Sequence, residues 1–154
     1  MAAAFSWHFA PFSALSAEAL HRILALRADV FVVEQNCPYA DPDAKDRVSH
    51  HLWAEDEQGN VVAVARVVPP GTSYAEPSIG RVATAAAVRR TGLGRELMLR
   101  ALHHVQQLHP GDDVVISAQH YLLRFYAEFG FEPEGDVYDE DGIPHLQMRK
   151  TRSE

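Results

Sequence analysis

The sequence predicts a single domain, residues 1–154, of the α/β or α+β class, in which helices cover both faces of a mixed sheet. Two patterns predict this class. Short apolar runs with the spacing of strands recur along the chain, and two amphipathic stretches with helical spacing interrupt them in the second half. Hydrophobic residues make up 47% of the chain and charged residues 23%, a balance that supports one sizeable core.

The first half of the chain predicts a strand, a helix and a hairpin, in that order. Residues 5–9 alternate between apolar and polar side chains, which is typical of a half-buried strand. Ser16 is a suitable N-cap for a helix that extends to about Val33, and the proline- and aspartate-rich stretch 36–47 predicts a loop. Two apolar runs within 51–68 flank a turn-rich connection, and together they predict the hairpin.

The next segment predicts a strand, a long helix and another strand. The strand covers 79–84, and the helix begins at Gly92 and ends before Pro110. We expect the apolar side chains of this helix, including Leu108, to face inward. Residues 114–117 are apolar and β-branched, a composition that is typical of a buried parallel strand.

The last third of the chain predicts a second helix and a closing hairpin. Apolar side chains recur at helical spacing over 122–129, and Gly130 follows at the position where a left-handed residue ends a helix. Residues 139–142 are rich in turn formers, which predicts a hairpin around them.

Charge restricts the classes of partner. The net charge is −7 with histidine neutral, which disfavours nucleic-acid binding because such binding depends on lysine and arginine to neutralise phosphates. One short segment is an exception, since it holds four arginines within twelve residues and indicates a small anionic ligand. These are Arg89, Arg90, Arg95 and Arg100.

Several features favour a reducing, aqueous compartment. No apolar run approaches the roughly 20 residues of a membrane helix. The first residues lack the pattern of a secretory signal, and Cys37, the only cysteine, cannot form an internal disulfide. We therefore predict a cytoplasmic protein that does not contact a membrane.

A glycine-rich turn between the strand 79–84 and the following helix is the segment most informative about function. Backbone N–H groups converge at a helix start and, with the helix dipole, favour a phosphate group. A Walker loop requires Lys where Arg95 stands, and a Rossmann fingerprint requires Gly where Leu97 stands. An ordinary glycine-rich helix cap is the remaining alternative. The turn consists of Arg89, Arg90, Thr91, Gly92, Leu93 and Gly94.

This turn resembles the Arg/Gln-x-x-Gly-x-Gly/Ala loop of the GNAT acetyltransferase superfamily. Residues 125–131, Phe-Tyr-Ala-Glu-Phe-Gly-Phe, resemble a second signature of the same superfamily at the expected distance downstream. The stretches 32–39 and 140–145, together with Arg66 and Arg81 in their local contexts, are similar to the bacterial ElaA-type branch. The resemblance covers most of the chain, from about Arg27 to Met148.

The resemblance implies a mixed, mostly antiparallel sheet of about six or seven strands, splayed between the fourth and fifth. It also implies acetyl-CoA as cosubstrate. No metal is expected, because His103 and His104 point to different faces of a helix and no cysteine or carboxylate completes a ligand set. The pyrophosphate of the cosubstrate is expected on the N–H groups from Arg90 to Arg95, and its pantetheine beside Val82, Ala83 and Thr84. An N–H of Val82 or Ala83 would polarise the thioester carbonyl. Gln119 stands where many relatives have an asparagine that contacts the cosubstrate.

The resemblance makes Tyr126 the candidate catalytic residue, because a phenol near the sulfur can protonate the departing thiolate. From the residues alone, an aromatic core residue is the competing interpretation. The fourth strand contains no carboxylate, so no general base is assigned; Glu34, His50, His51, His120 and His145 are the groups that remain.

The expected reaction is direct transfer of an acetyl group from acetyl-CoA to a primary amine of a small molecule or peptide. Glu34, Arg66 and His145 are expected to line the acceptor pocket, because they belong to the ElaA-like stretches outside the cofactor motifs. The alternative is a non-catalytic acyl-CoA-binding module or sensor with the same fold. Either a monomer or a homodimer is compatible with the sequence.

Overall fold

The computed structural model describes residues 4–152, and within this range eight strands form two antiparallel sheets flanked by helices. The prediction was about six or seven strands; the additional strand is the short β6, whereas β7 is the first strand of the predicted closing hairpin. The strands are β1 (Ser6–Pro11), β2 (His50–Glu55), β3 (Val61–Val68), β4 (Ser78–Thr84), β5 (Val114–Gln119), β6 (Glu132–Pro133), β7 (Tyr138–Glu140) and β8 (Ile143–Lys150). The α-helices are α1 (Ala17–Arg27), α2 (Leu93–Leu108) and α3 (Leu123–Ala127).

The first sheet has the order β1-β2-β3-β4, and each neighbouring pair is antiparallel. The predicted hairpin joins β2 to β3 through a turn in which the Asp56 carboxylate accepts the backbone N–H groups of Gln58 and Asn60. Every residue of β3 after Val61 is buried, as its central place in the sheet requires.

The second sheet has the order β5-β8-β6, and β7 also pairs with β8. The ladder partner of β5 is β8 and it is antiparallel, so the prediction of a parallel strand at 114–117 was wrong. In the range 4–152 no ladder joins β4 to β5; a single hydrogen bond, from the N–H of Val115 to the carbonyl of Pro77 (3.1 Å), connects the segments there. The two sheets therefore separate between the fourth and fifth strands.

The helices begin close to the predicted positions, although their ends differ. The Ser16 side chain accepts the N–H of Ala19 and caps α1. The helix continues to Glu34 as predicted, but its last seven residues, Ala28–Glu34, form a π-helix. The second predicted helix is shorter, a 3₁₀ turn followed by α3, and the chain then turns at Gly130 (φ 93°).

Alternation along β2 and β3 places helices on both faces of the first sheet. Trp53 and Val64 pack with Ile23 of α1 on one face. Leu52 and the alanines of β3 pack on the other face, with the α2 residues Leu97, Met98 and Ala101, none of which is exposed. Leu108 was predicted to face inward, but it is 38% exposed because it lies in the last turn of α2.

No helix within residues 4–152 combines the length and the apolar character that crossing a bilayer would require.

Candidate active site

A cleft of about 580 Å³ opens beside the separation between the two sheets. Its walls come from the end of the π-helix and the following loop, from β4 and β5, from α3, and from the β7–β8 hairpin. Among the predicted site residues, Arg66, Val82, Gln119, Tyr126 and His145 line this cleft. Glu34 and the turn 89–95 lie outside the lining.

A β-bulge interrupts β4 where the strand meets the cleft. Val64 of β3 pairs with Ala83, and Arg66 of β3 pairs with Gly80. Two β4 residues, Arg81 and Val82, therefore lie opposite the single β3 residue between Val64 and Arg66. Arg81 has φ 49°, a left-handed conformation that is unusual for a residue with a side chain. A bulge of this kind leaves backbone groups out of the ladder and re-aims the strand. Val82, the second residue of the bulge, lines the cleft.

The two residues that follow Val82 differ in burial: Ala83 is buried, whereas Thr84 is half-buried like Val82. Ala83 is buried against α1, and Thr84 pairs with Ala63 in the β3–β4 ladder. Of the three β4 residues predicted to contact the pantetheine, only Val82 lines the cleft.

The turn before α2 has the backbone conformation of an anion-binding loop. Arg90 (φ 64°) and Gly92 (φ 87°) are both left-handed, and the first helical N–H to find an acceptor is that of Glu96, which donates to Gly92. Within residues 4–152, none of the six N–H groups from Arg90 to Arg95 donates to a protein acceptor. A pyrophosphate group fits such a row of free donors at a helix N-terminus.

The arginines of this segment form ion pairs within the chain. Arg89 donates to both carboxylate oxygens of Glu34 and to the carbonyl of Thr84. The hydrogen bond from Arg89, outweighing desolvation, holds the pKa of Glu34 below its ordinary value. Arg95 pairs with Glu128. The charge that this segment offers to an anion is therefore smaller than its four arginines indicate.

Tyr126 lies on α3 with its ring in an aromatic cluster. The ring meets Phe125 at 5.2 Å and Phe131 at 6.1 Å between centroids, both nearly edge to face. The residue is 8% exposed and lines the cleft, so both sequence-based interpretations, core residue and cleft residue, describe part of its environment. Burial raises the pKa of the phenol, and Tyr121 adds a smaller contribution. The hydroxyl therefore keeps its proton throughout the neutral range, as a proton donor must.

Gln119 is the last residue of β5, and Gln35 follows the π-helix. The side-chain NH₂ group of Gln35 donates a hydrogen bond to the side-chain oxygen of Gln119 at 3.0 Å. This contact joins the second sheet to the helical segment across the cleft.

The predicted acceptor-pocket residues have different surroundings. Glu34 binds Arg89 and so supports the turn before α2. Arg66 is 4% exposed, and its Nη1 donates to Asp43 (2.6 Å) and Asp46 (2.8 Å). Because these carboxylates neutralise its charge, Arg66 forms a wall of the cleft rather than a free cation.

His145 lies on β8 opposite Gln119 in the β5–β8 ladder and is 7% exposed. Its Nδ1 lies 2.8 Å from the Ile143 carbonyl, and its Nε2 lies 3.2 Å from a Glu140 carboxylate oxygen. Of the three predicted acceptor residues it is the one whose polar atoms meet the β7–β8 hairpin.

The sequence did not reveal a buried network of charges beneath the cleft. Arg27 donates to Asp41 and Asp46, and Arg81 donates to the Asp41 carbonyl. An arginine on the apolar face of α1 and an aspartate-rich loop were the two available signals. The hydrogen bonds of this network join residues that lie 14 to 40 positions apart in the chain, and no local sequence pattern predicts such pairs.

Three features of the described residues lie together here: the two sheets separate between the fourth and fifth strands, the fourth strand carries a bulge, and free N–H groups begin the next helix. Residues 29–152 match the family described as acetyltransferase (GNAT) domain, and the chain belongs to this family.

Within the family, the chain is similar to proteins of the ElaA type. It is 40% identical to Protein ElaA of Escherichia coli over 148 residues, 94% of this chain and 95% of ElaA. It is 46% identical to UPF0039 protein sll0451 of Synechocystis sp. over 143 residues, 93% of each chain.

Two crystal structures share the fold closely. An acyl-CoA N-acyltransferase from Pseudomonas aeruginosa superposes with a TM-score of 0.91 at 38% identity, covering 96% of this chain and all of the other. Escherichia coli ElaA superposes with a TM-score of 0.89 at 37% identity, covering 96% and 99%.

Proposed function

We propose that this protein, as one acetyltransferase domain over residues 1–154, transfers an acetyl group from acetyl-CoA to a primary amine of a small molecule or peptide. The observation that carries the proposal is the row of six free N–H groups from Arg90 to Arg95, joined through β4 to a cleft that contains Tyr126. The row suits the pyrophosphate of the cosubstrate. The Acyl-CoA N-acyltransferase of Pseudomonas aeruginosa, similar over its whole length, supports the same reaction class.

In the proposed reaction the amine nitrogen bonds to the thioester carbonyl carbon, and the bond from that carbon to sulfur breaks. A backbone N–H at the β4 bulge, at Val82 or Ala83, stabilises the negative charge on the carbonyl oxygen. Loss of one such donor typically slows a reaction about 100-fold or more. The departing thiolate takes the hydroxyl proton of Tyr126, and the proton that the nitrogen loses as it becomes an amide restores the phenol of Tyr126. No covalent enzyme intermediate forms.

The remaining predicted cosubstrate contacts have supporting roles in this proposal. Gln119, Ala83 and Thr84 border the gap between β4 and β5, where the pantetheine arm is expected to extend. The ion pair of Glu34 with Arg89 holds the turn before α2 in place, so we assign Glu34 to the cosubstrate side.

A sensor that binds acetyl-CoA without turnover is the second candidate function. The observation that favours it is the absence of a carboxylate on β4, Ser78–Thr84, at the place where an amine would need a base. The two functions differ in whether coenzyme A is released in multiple turnovers.

The experiment measures release of coenzyme A thiol from acetyl-CoA with polyamines, amino acids, aminoglycosides and lysine peptides as acceptors. We expect amine-dependent turnover, and a kcat that falls about 100-fold or more in Tyr126→Phe while KM for acetyl-CoA is nearly unchanged. Cys37 contributes at most one thiol per chain, so only multiple turnovers count.

Tyr121→Phe is the matched comparison: Tyr121 also lines the cleft, but its side chain is 70% exposed, so this variant tests whether the proton must come from the buried phenol. Its kcat should equal that of the wild type. Acetyl-CoA binding without turnover on any amine would favour the sensor, and failure to bind acetyl-CoA would refute both functions.

A further inference from the structure

The proposed reaction requires a group that removes a proton from the acceptor. A primary alkyl amine is mostly protonated at neutral pH, because its pKa is near that of lysine, about 10.4. The ammonium form has no lone pair with which to attack. β4 offers no carboxylate for this step, so the proton acceptor must lie elsewhere on the cleft wall.

Four side chains lining the cleft in the described range carry a carboxylate or an imidazole: Asp43, Glu140, Asp141 and His145. Asp43 is a poor base: burial favours its neutral form, but the hydrogen bond and charge of Arg66 outweigh burial and lower its pKa. Asp141 lies exposed in the hairpin turn. Two histidines outside the cleft, His50 and His104, stack on Phe9 instead.

The geometry around His145 fixes its protonation chemistry. The Ile143 carbonyl can only accept a hydrogen bond, so Nδ1 must carry a proton and donate across the 2.8 Å separation. Nε2 is consequently the nitrogen that gains and loses a proton. It faces the Glu140 carboxylate at 3.2 Å, and the ring lies against Tyr138 with 6.0 Å between centroids.

We infer that Nε2 of His145 accepts the proton of the amine and that Glu140 is the positioning residue that stabilises the resulting imidazolium. The inference rests on the proposed function. One N–H bond of the ammonium breaks, one N–H bond forms at Nε2, and the amine lone pair becomes free to attack the carbonyl carbon. The observed His145–Glu140 pair matches the state after this transfer, in which Nε2 carries the proton and donates it in a hydrogen bond to Glu140. Before the transfer, the exposed Glu140 side chain turns away from Nε2, so that the amine can reach the single lone pair of this nitrogen.

The exposure of the two residues supports a path for the proton. The His145 side chain is 9% exposed, whereas that of Glu140 is 54% exposed. Glu140 can therefore pass the proton from the buried imidazole to water, which restores neutral His145 for the next turnover. Gln119, opposite His145 in the ladder, carries no charge that would compete for this proton.

The test compares ethylamine with 2,2,2-trifluoroethylamine as acceptors at pH 7. The fluorines withdraw electron density, so the second amine is already neutral and needs no base before attack. In His145→Gln we expect kcat with ethylamine to fall about 100-fold, and kcat with trifluoroethylamine to stay within a few-fold of the wild type. Glu140→Gln should show a smaller loss restricted to ethylamine, and Glu140→Asp should restore part of it.

His120→Gln is the control, because this exposed histidine follows β5 but lies outside the cleft. Acetyl-CoA affinity by calorimetry and melting temperature establish that each variant is folded. Equal losses with both amines, or no loss with either, would refute the role of His145 and leave the proposed function intact. A wild type that binds acetyl-CoA but acetylates neither of these amines nor any amine of the acceptor panel would contradict the role and the amine-transfer function together.

Discussion

At the scale of single residues, Asp46 carries the most consequential charge beneath the cleft. Its carboxylate accepts hydrogen bonds from Nη1 of Arg27 and from Nη1 of Arg66, each with a donor–acceptor distance of 2.8 Å. Burial by itself would raise the pKa of Asp46, but the hydrogen bonds and charges of the two arginines outweigh burial and lower it to about 2. The ionised form of Asp46 therefore stabilises the fold.

We predict that this carboxylate makes stability depend on pH in acid. Because the pKa is lower in the folded chain, the stabilisation is fully present above the unfolded value of 3.8 and is lost as pH falls toward 2. A shift of this size corresponds to about 2 kcal/mol. The free energy of unfolding, measured with urea between pH 7 and pH 2, should fall more steeply below pH 5 for the wild type than for Asp46→Asn.

At pH 7 the same variant should be less stable by about 3–5 kcal/mol, since two buried guanidinium groups lose a shared partner. Asp29→Asn is the control, because Asp29 is exposed on the π-helix. The free energy of unfolding of this variant should depend on pH in the same way as that of the wild type. Parallel pH curves for the wild type and Asp46→Asn would contradict the assignment.

The site residues whose local structure the sequence predicted share one property: their neighbours along the chain define them. Gly92 begins a helix in a left-handed conformation, as the glycine-rich turn predicts, and Tyr126 lies where the second signature predicts. Glu34 and Arg66 show the limit. Arg89, the partner of Glu34, is 55 residues away, and Asp46 is 20 residues from Arg66, so only the folded chain reveals what their charges meet.

At the scale of elements, the turn before α2 depends on a backbone that only glycine adopts without strain. Gly92 has φ 87°, and no neighbouring atom would meet an added Cβ within 4 Å. A Gly92→Ala change therefore acts through the backbone rather than through a clash. An alanine in the left-handed region costs about 1–2 kcal/mol.

We predict that Gly92→Ala weakens acetyl-CoA binding about tenfold, because relief of this strain turns the free N–H groups away from their common direction. Gly111→Ala is a closely matched control: Gly111 follows the other end of α2, has φ 85° and is equally open. Both variants should lose similar stability in urea. Calorimetry should show the affinity loss only in Gly92→Ala, and equal losses in the two variants would contradict a role for this turn.

The predicted elements with clear periodicity, such as β2, β3 and α2, are present where expected. Elements that depend on a distant partner were missed. The two-residue β6 exists only because Glu132 and Pro133 lie beside β8, and the bulge at Arg81 exists only because β3 sets the register of β4. Likewise β5 is apolar on both faces, which sequence alone cannot distinguish from a parallel strand.

At the scale of the whole molecule, the separation of the sheets is the feature on which the proposed function depends. The edges of β4 and β5 that face each other form no ladder, and in the described range one backbone hydrogen bond joins the segments beside them. Unpaired edge strands accept an added strand readily. A pantetheine arm with its two amide groups has the chemistry to pair with such an edge.

We therefore predict a distinctive pattern of hydrogen–deuterium exchange when acetyl-CoA is added. Peptides covering 78–84, 89–95 and 114–119 should all become protected, because the cosubstrate would occupy the edges of β4 and β5 as well as the turn before α2. The edge strand β1, at 6–11, has no neighbour at the cleft and is the internal control. Protection confined to 89–95 would mean that the turn binds the pyrophosphate while the gap between the sheets stays empty. Equal protection of β1 would instead indicate general stabilisation of the fold, since ligand binding alone slows exchange that proceeds through global unfolding.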